Sequence, residues 1–154
     1  MKILTYLFAA FIIFLASTNV TLSQVTIHKG TSFEDIEFTI EDPIFHRGES
    51  KEVLYTIRNA TLCKSTSYEV AFTRRDDVIC PGQTYDILLT KRGDTYCEGT
   101  TYNILYTVRG SQICEGTSYN VKYTIRDGEL SETVMMYLMA ILHTNPIPDT
   151  GVED

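Results

Sequence analysis

Through the middle of the chain, apolar and polar residues take turns in short bursts. Tyr119, Val121, Tyr123 and Ile125 share one parity and Asn120, Lys122, Thr124 and Arg126 the other; Tyr102, Ile104, Tyr106 and Val108 divide in the same way from Asn103, Leu105, Thr107 and Arg109. Alternation at period two, rich in Tyr, Val, Ile and Thr, marks a strand with one buried face, whereas a helix would scatter those apolar residues around its circumference. Turn formers bracket each burst, with Gly93-Asp94, Gly110-Ser111 and Asp127-Gly128 after it and Pro81-Gly82, Glu98-Gly99 and Glu115-Gly116 before the next. The pattern predicts an all-β chain in which Tyr68, Tyr85, Tyr102 and Tyr119, with Tyr55, Tyr106 and Tyr123, pack inside and send their hydroxyls to the edges. On a curved sheet some of these rings would line an apolar ligand pocket.

The bursts recur with a period of seventeen. Cys63, Cys80, Cys97 and Cys114 are separated by 17 residues, the Tyr68 column follows five places behind, and Thr56, Thr73, Thr90, Thr107 and Thr124 keep the interval with Arg58, Arg75, Arg92, Arg109 and Arg126 two places further on. Several columns in one register are internal duplication, and a duplicated supersecondary unit has to be read before any local motif. A degenerate first copy runs over residues 30–39 with one extra residue between its Gly and its Thr, which reads as a bulge. The second copy begins at Gly48, where His46-Arg47 replaces the expected Cys. Copies that diverge at the ends and agree in the middle suit an array with capping units.

Two architectures accommodate such an array: an antiparallel β-meander, sandwich or barrel-like, and a parallel β-solenoid with one coil per unit. A parallel stack would set the five Arg side chains about 4.7 Å apart, and like charges on one sheet face oppose each other. An antiparallel stack of main strands instead brings Arg58 beside Glu69, Glu52 beside Arg75 and Arg75 beside Asp86, with Tyr55 opposite Phe72, so the meander is favoured.

Residues 130–142 are rich in Met and Leu and permit a capping helix with Ser131 as its N-cap, or a last strand that closes the core. At the other end, Met1-Lys2 and the apolar run over residues 3–15 read as a signal peptide, too short for a membrane span, which needs about 20 residues. Cleavage is expected before Gln24, with a cut near Thr18 as the alternative. The layout is therefore a signal peptide at 1–23, one β-repeat domain at 24–143 with a cap at 130–143, and a flexible acidic tail at 144–154 containing Pro146 and Pro148.

Charge narrows the partners. The chain carries a net −7, and loss of Lys2 makes the mature form more acidic still; with no basic block, phosphate backbones and anionic lipid are poor partners. Four cysteines in an exported chain predict two disulfides among Cys63, Cys80, Cys97 and Cys114. Zinc is disfavoured because each Cys stands alone in its unit rather than in a close pair. Asn59-Ala60-Thr61 is an N-glycosylation sequon, while Asn19-Val20-Thr21 leaves with the signal peptide.

No nucleophile, base or metal constellation is present. His28, His46 and His143 all lie outside the regular units, and Glu34-Asp35, Glu41-Asp42 and Asp76-Asp77 need no role beyond solvated turns. No cofactor and no catalysis are expected. The regular outward feature is the Thr-x-Arg column, Thr73, Arg75, Thr90, Arg92, Thr107, Arg109, Thr124 and Arg126. It is the candidate binding face: a hydroxyl and guanidinium ladder for a sulfated glycan if the strands are parallel, mutually satisfied and structural if they are antiparallel. The expected function is a secreted, non-enzymatic binding or inhibitory module acting on an extracellular protein or glycan. The alternatives are a structural matrix or coat component linked through strand edges or cysteines, and a carrier of a small apolar ligand.

Overall fold

The computed structural model describes residues 24–144, so the expected signal peptide and the tail beyond Thr144 lie outside the described residues. The strands in chain order are β1 (Gln24–Lys29), β2 (Ile36–Glu41), β3 (Ile44–Arg47), β4 (Val53–Arg58), β5 (Thr61–Lys64), β6 (Val70–Arg75), β7 (Val78–Pro81), β8 (Leu89–Arg92), β9 (Thr95–Glu98), β10 (Ile104–Arg109), β11 (Gln112–Glu115) and β12 (Val121–Arg126), followed by α1 (Glu132–Thr144). Each strand pairs antiparallel with its neighbours in sequence, and β1 pairs with β12, so the twelve form a closed barrel. The fold is thus an all-β antiparallel meander, and the parallel solenoid is set aside.

The meander differs from the expected one in its count of strands. Segments such as Gln112-Ile113-Cys114, read from sequence as links, are short return strands, so β4, β6, β8, β10 and β12 all run the same way with a return strand between each. The expected pairs of Arg58 with Glu69 and of Glu52 with Arg75 therefore do not form. Glu69 instead meets Lys64, and Glu52 meets Arg47 Nε at 2.9 Å. Tyr55 stands opposite Lys64 and Phe72 opposite Leu62.

Two kinds of turn join the strands. At one end, tight two-residue turns follow the longer strands, Arg58 facing Thr61 and Arg109 facing Gln112 across them. Their first residues, Asn59, Asp76, Gly93 and Gly110, all have φ between 51° and 59°, the left-handed conformation that Gly, Asn and Asp tolerate best. At the other end, wide turns begin at Gly30, Gly48, Ser65, Gly82, Gly99 and Gly116, again left-handed. The extra residue of the first copy is taken up in its wide turn: Lys29 N bonds to Asp35 O where Lys64 N bonds to Glu69 O. The register shift at Ile27/His28 is matched at Leu62/Cys63 and Ile113/Cys114, so it belongs to the barrel rather than to that insertion.

Ile27, Phe45, Leu62, Ile79, Tyr96 and Ile113 on the return strands point inward, joined by Phe38, Ile40, Phe72, Leu89 and Ile125 from the others. Small eight-stranded barrels fill themselves with side chains; twelve strands enclose more room, close to the ~10 Å width of a helix. Helix α1 occupies it. From Met136 to Leu142 every residue is buried at 1% exposure or less, which means that wall surrounds the helix on all faces, as a helix apolar on every side requires. Each such Leu, Ile or Met contributes about 1.5–3 kcal/mol on burial. The helix starts as its sequence indicated: Val134 N donates to Ser131 Oγ at 3.3 Å, satisfying one of the free first-turn amides.

Candidate functional site

The outward Thr column holds the wide turns. Thr56 donates its hydroxyl to Ser65 O, Thr73 to Gly82 O, Thr90 to Gly99 O, Thr107 to Gly116 O and Thr124 to Gly30 O, at 2.5–2.8 Å. Two places on, the Arg column reaches the same turns: Arg75 donates to Thr84 O at 3.4 Å, Arg92 to Thr100 O at 3.3 Å, Arg109 to Ser118 O at 2.5 Å and Arg126 to Thr31 O at 3.2 Å. The eight Thr and Arg residues singled out as a candidate face thus share one outer surface, with each Thr hydroxyl and at least one terminal guanidinium nitrogen of each Arg engaged with main-chain carbonyls, while Arg75 Nε and Arg126 Nε are buried without a hydrogen-bond partner.

Each of these arginines, and Arg58 with them, also lies over an aromatic ring. Arg58 sits 4.5 Å from the centroid of Tyr68, Arg75 4.1 Å from Tyr85, Arg92 4.5 Å from Tyr102, Arg109 4.3 Å from Tyr119 and Arg126 3.6 Å from Phe33. A guanidinium over a ring is attracted by the ring quadrupole, worth about 0.5–1 kcal/mol at an exposed site. The rings are not inside the protein. Tyr68, Tyr85, Tyr102 and Tyr119 are 81–84% exposed and Phe33 76%, which corrects the expectation that this column is core. The reason is where the strands begin: β12 starts at Val121 and β10 at Ile104, leaving Tyr119 and Tyr102 in the wide turns. The other expected column, Tyr55, Tyr106 and Tyr123, does pack against the core, and Tyr106 donates to Leu142 O at 3.3 Å.

Around the closed wall the aromatic positions run Tyr68, Tyr85, Tyr102, Tyr119, Phe33, one per wide turn, and Lys51 takes the sixth place. Consecutive positions are two strands apart, about 10 Å. Three carboxylates along this arc are engaged locally, Glu69 with Lys64, Glu98 with Asn103 Nδ2 at 2.8 Å, and Glu115 with Asn120 Nδ2 at 3.0 Å and Lys122 Nζ at 3.2 Å, while Glu34, Asp35 and Asp86 are exposed.

Cys63, Cys80, Cys97 and Cys114 are buried and free, so the two expected disulfides are corrected. All four occupy one position on alternate strands, with a whole strand between neighbours; that is about 10 Å, beyond the ~7 Å Cα separation a disulfide tolerates. They stand opposite Thr56, Thr73, Thr90 and Thr107 on the outer side of the wall, beneath the turns those threonines tie down. His28 and His46 occupy the same position on β1 and β3. His28 Nε2 lies 2.9 Å from Thr26 Oγ1, which donates to Asp127 Oδ2 at 2.5 Å and fastens the β1–β12 seam. His143 is on the helix, so the three histidines share no site. Among the described residues no group of three or more His, Cys, Asp or Glu is placed to hold a metal ion.

Asn59 lies exposed at the tip of a tight turn, while the sequon hydroxyl of Thr61 donates to Arg58 O at 2.8 Å. Asp76-Asp77 form the next tight turn, and Glu34-Asp35 sit in the first wide one, exposed.

One cluster escaped the sequence reading. Arg74 and Lys91 point inward and meet the start of α1: Arg74 Nη2 is 2.6 Å from Glu132 Oε1 and Lys91 Nζ 3.0 Å from Glu132 Oε2, while Arg74 also bonds to Thr133. The Lys91 hydrogen bond and charge, with Arg74 behind them, hold the Glu132 carboxyl below its ordinary range. Burial pushes the Tyr96 and Tyr106 hydroxyls up, and that of Tyr137 up to about 12. A signal existed: the inward column Ile40, Ile57, Arg74, Lys91, Val108, Ile125 is apolar at four of its six places, and two adjacent inward cations call for an anion inside.

No family model, no curated protein and no solved structure matches this chain.

Proposed function

We propose that the chain is a secreted, non-enzymatic binding module, built from tandem seventeen-residue units, that engages an extracellular partner through its outer aromatic arc. The observation that carries this reading is the exposure of five rings, four of them 81–84% and one 76%, each pinned by an arginine on a rigid closed wall. Exposed aromatic side chains held in fixed orientation offer contact area at small entropic cost, the property of binding anchors.

Other features support it over the alternatives. A matrix component linked by strand edges or thiols has less support, because a closed barrel leaves no free edge and the thiols are buried. A carrier of an apolar ligand has less support because a helix fills the lumen. Strands of four to six residues with an apolar interior also lack the length and outward apolar band of a lipid-spanning barrel, which needs about 9–11 residues per strand.

Secretion is tested by expressing the whole chain in a secreting host and reading the N-terminus of material in the medium; Gln24 is expected. Binding is tested by immobilising wild type and a variant with Tyr68, Tyr85, Tyr102 and Tyr119 all replaced by Ala, then passing extracellular fluid from the source over both. A partner retained by wild type and lost from the equally folded variant supports the reading, and equal retention by both overturns it.

A further inference from the structure

We propose that the arc from Tyr68 through Tyr85, Tyr102 and Tyr119 to Phe33 receives an extended, uncharged polysaccharide, a β-1,4-linked pyranose chain, whose sugar faces stack on the rings. This rests on the binding-module reading and names its partner.

Three observations converge on that chemistry. First, the rings are separate rather than merged: each occupies its own wide turn, about 10 Å from the next, with polar residues such as Thr100, Thr101, Thr117 and Ser118 between. A protein partner takes its energy from a contiguous desolvated centre, which spaced rings do not offer. An extended β-1,4-linked chain turns the same sugar face outward at every second unit, an interval comparable to the spacing of the rings.

Second, each ring has one face covered by a guanidinium and remains largely exposed. The free face is apolar and flat, matching the C–H face of a pyranose. The Thr100 and Thr117 hydroxyls lie in the same turns for the sugar hydroxyls, whereas those of Thr101 and Ser118 and the Nδ2 groups of Asn103 and Asn120 already bond within the turn.

Third, the arginines of the arc lie against the rings and donate to turn carbonyls, and carboxylates stand among them: Glu69, Glu98 and Glu115 hold local partners, while Glu34, Asp35 and Asp86 are exposed. A sulfated glycan needs uncommitted cations, and the chain as a whole is acidic. A neutral chain needs neither. Because the wall curves away, a straight ligand reaches two or three neighbouring rings, and Lys51 interrupts the sixth place.

The test is calorimetric titration of the purified protein with cellohexaose and chitohexaose, with the matching disaccharides, and with a heparin hexasaccharide. Three forms are compared: wild type, Tyr85→Ala/Tyr102→Ala and Tyr85→Phe/Tyr102→Phe, with thermal melting confirming that each is folded. A neutral hexasaccharide is expected to bind wild type, the disaccharide more weakly by about tenfold, and the Ala pair more weakly by about tenfold or beyond, while the Phe pair, which keeps its rings, stays close to wild type. Raising salt is expected to leave this binding unchanged. Binding of heparin alone overturns the inference, as does a protein partner lost from the Ala pair with no response to neutral sugars; in both cases the binding-module reading stands. A neutral sugar bound equally by the Ala pair overturns the arc as its site. Failure of the four-Ala variant to lose any partner overturns the reading beneath it as well.

Discussion

Arg74 Nη2 stands 2.6 Å from Glu132 Oε1, joining the wall of the barrel at β6 to the first residue of the helix that fills it. Lys91 takes the other carboxylate oxygen from β8. The three residues fix where the helix enters, and the apolar residues behind them fill the lumen.

This cluster carries a pH dependence. The Glu132 carboxyl is held below its ordinary value of 4.5, so its contribution to stability is fully present above about pH 4.5 and is lost as pH falls through the lowered value. Thermal melting from pH 7 down to pH 3 is expected to show a steeper loss in wild type than in Glu132→Gln, which carries no titrating carboxyl there. Parallel curves would refute the assignment.

The buried tyrosines act at the opposite extreme. Tyr96, Tyr106 and Tyr137 have hydroxyls raised above the ordinary value of 10.0 by burial. The folded state holds those protons more tightly, so its advantage is intact below about pH 10 and declines as pH rises through the raised values. Phenolate absorbance from these three is expected to appear only together with loss of the folded barrel. Tyr137→Phe should lower that step by about a third, one of its three phenols being gone.

The cysteines allow a direct count. Intact mass under non-reducing conditions should equal the fully reduced mass, and a thiol reagent should find all four only after denaturation, with slow or negligible reaction in the native protein. Rapid native labelling would mean that the wide turns do not cover them.

Glycine positions separate space from conformation. Gly93 and Gly99 both have left-handed φ, 59° and 52°, but a Cβ at Gly93 meets nothing within 4 Å while one at Gly99 lies 3.4 Å from Ile87 O. Gly93→Asn places a residue type that already serves at Asn59 in the equivalent turn, and should cost less than about 0.5 kcal/mol by urea unfolding. Gly99→Val should cost about 2 kcal/mol or more, since a β-branched residue is poorly tolerated there.

Much of this was readable before the structure. Period-two alternation located β4, β6, β10 and β12, and Ser131 marked the start of the helix. The antiparallel arrangement was inferred on a charge argument that the structure does not use, because a second strand hides in each unit: Gln112-Ile113-Cys114 is too short for its alternation to stand out beside Tyr119 to Ile125. The disulfide expectation rested on an even count of cysteines in an exported chain, which says nothing of spacing across the wall; the return-strand position of each Cys, with a whole strand between neighbours, is what keeps them apart. Tyr119 continues the parity of Val121 and Tyr123, and nothing in the alternation distinguishes a ring in the strand from one in the turn before it. The ring's place in the wide turn exposes it, and there it meets Arg109, which the sequence places ten residues earlier and which only the return strand brings alongside.

The seam between β1 and β12 sets an order on the birth of the molecule. Residues near the start of the described chain must wait for Thr124 and Arg126, roughly a hundred positions later, and the helix that goes inside is made later still. A growing chain can lay down hairpin after hairpin from local pairing alone, yet it cannot shut the ring until β12 is made or fill it until α1 is. Until then the wall stands open with its apolar lining in water, and a chain cut short before residue 121 would be left as an unfilled sheet with two sticky edges.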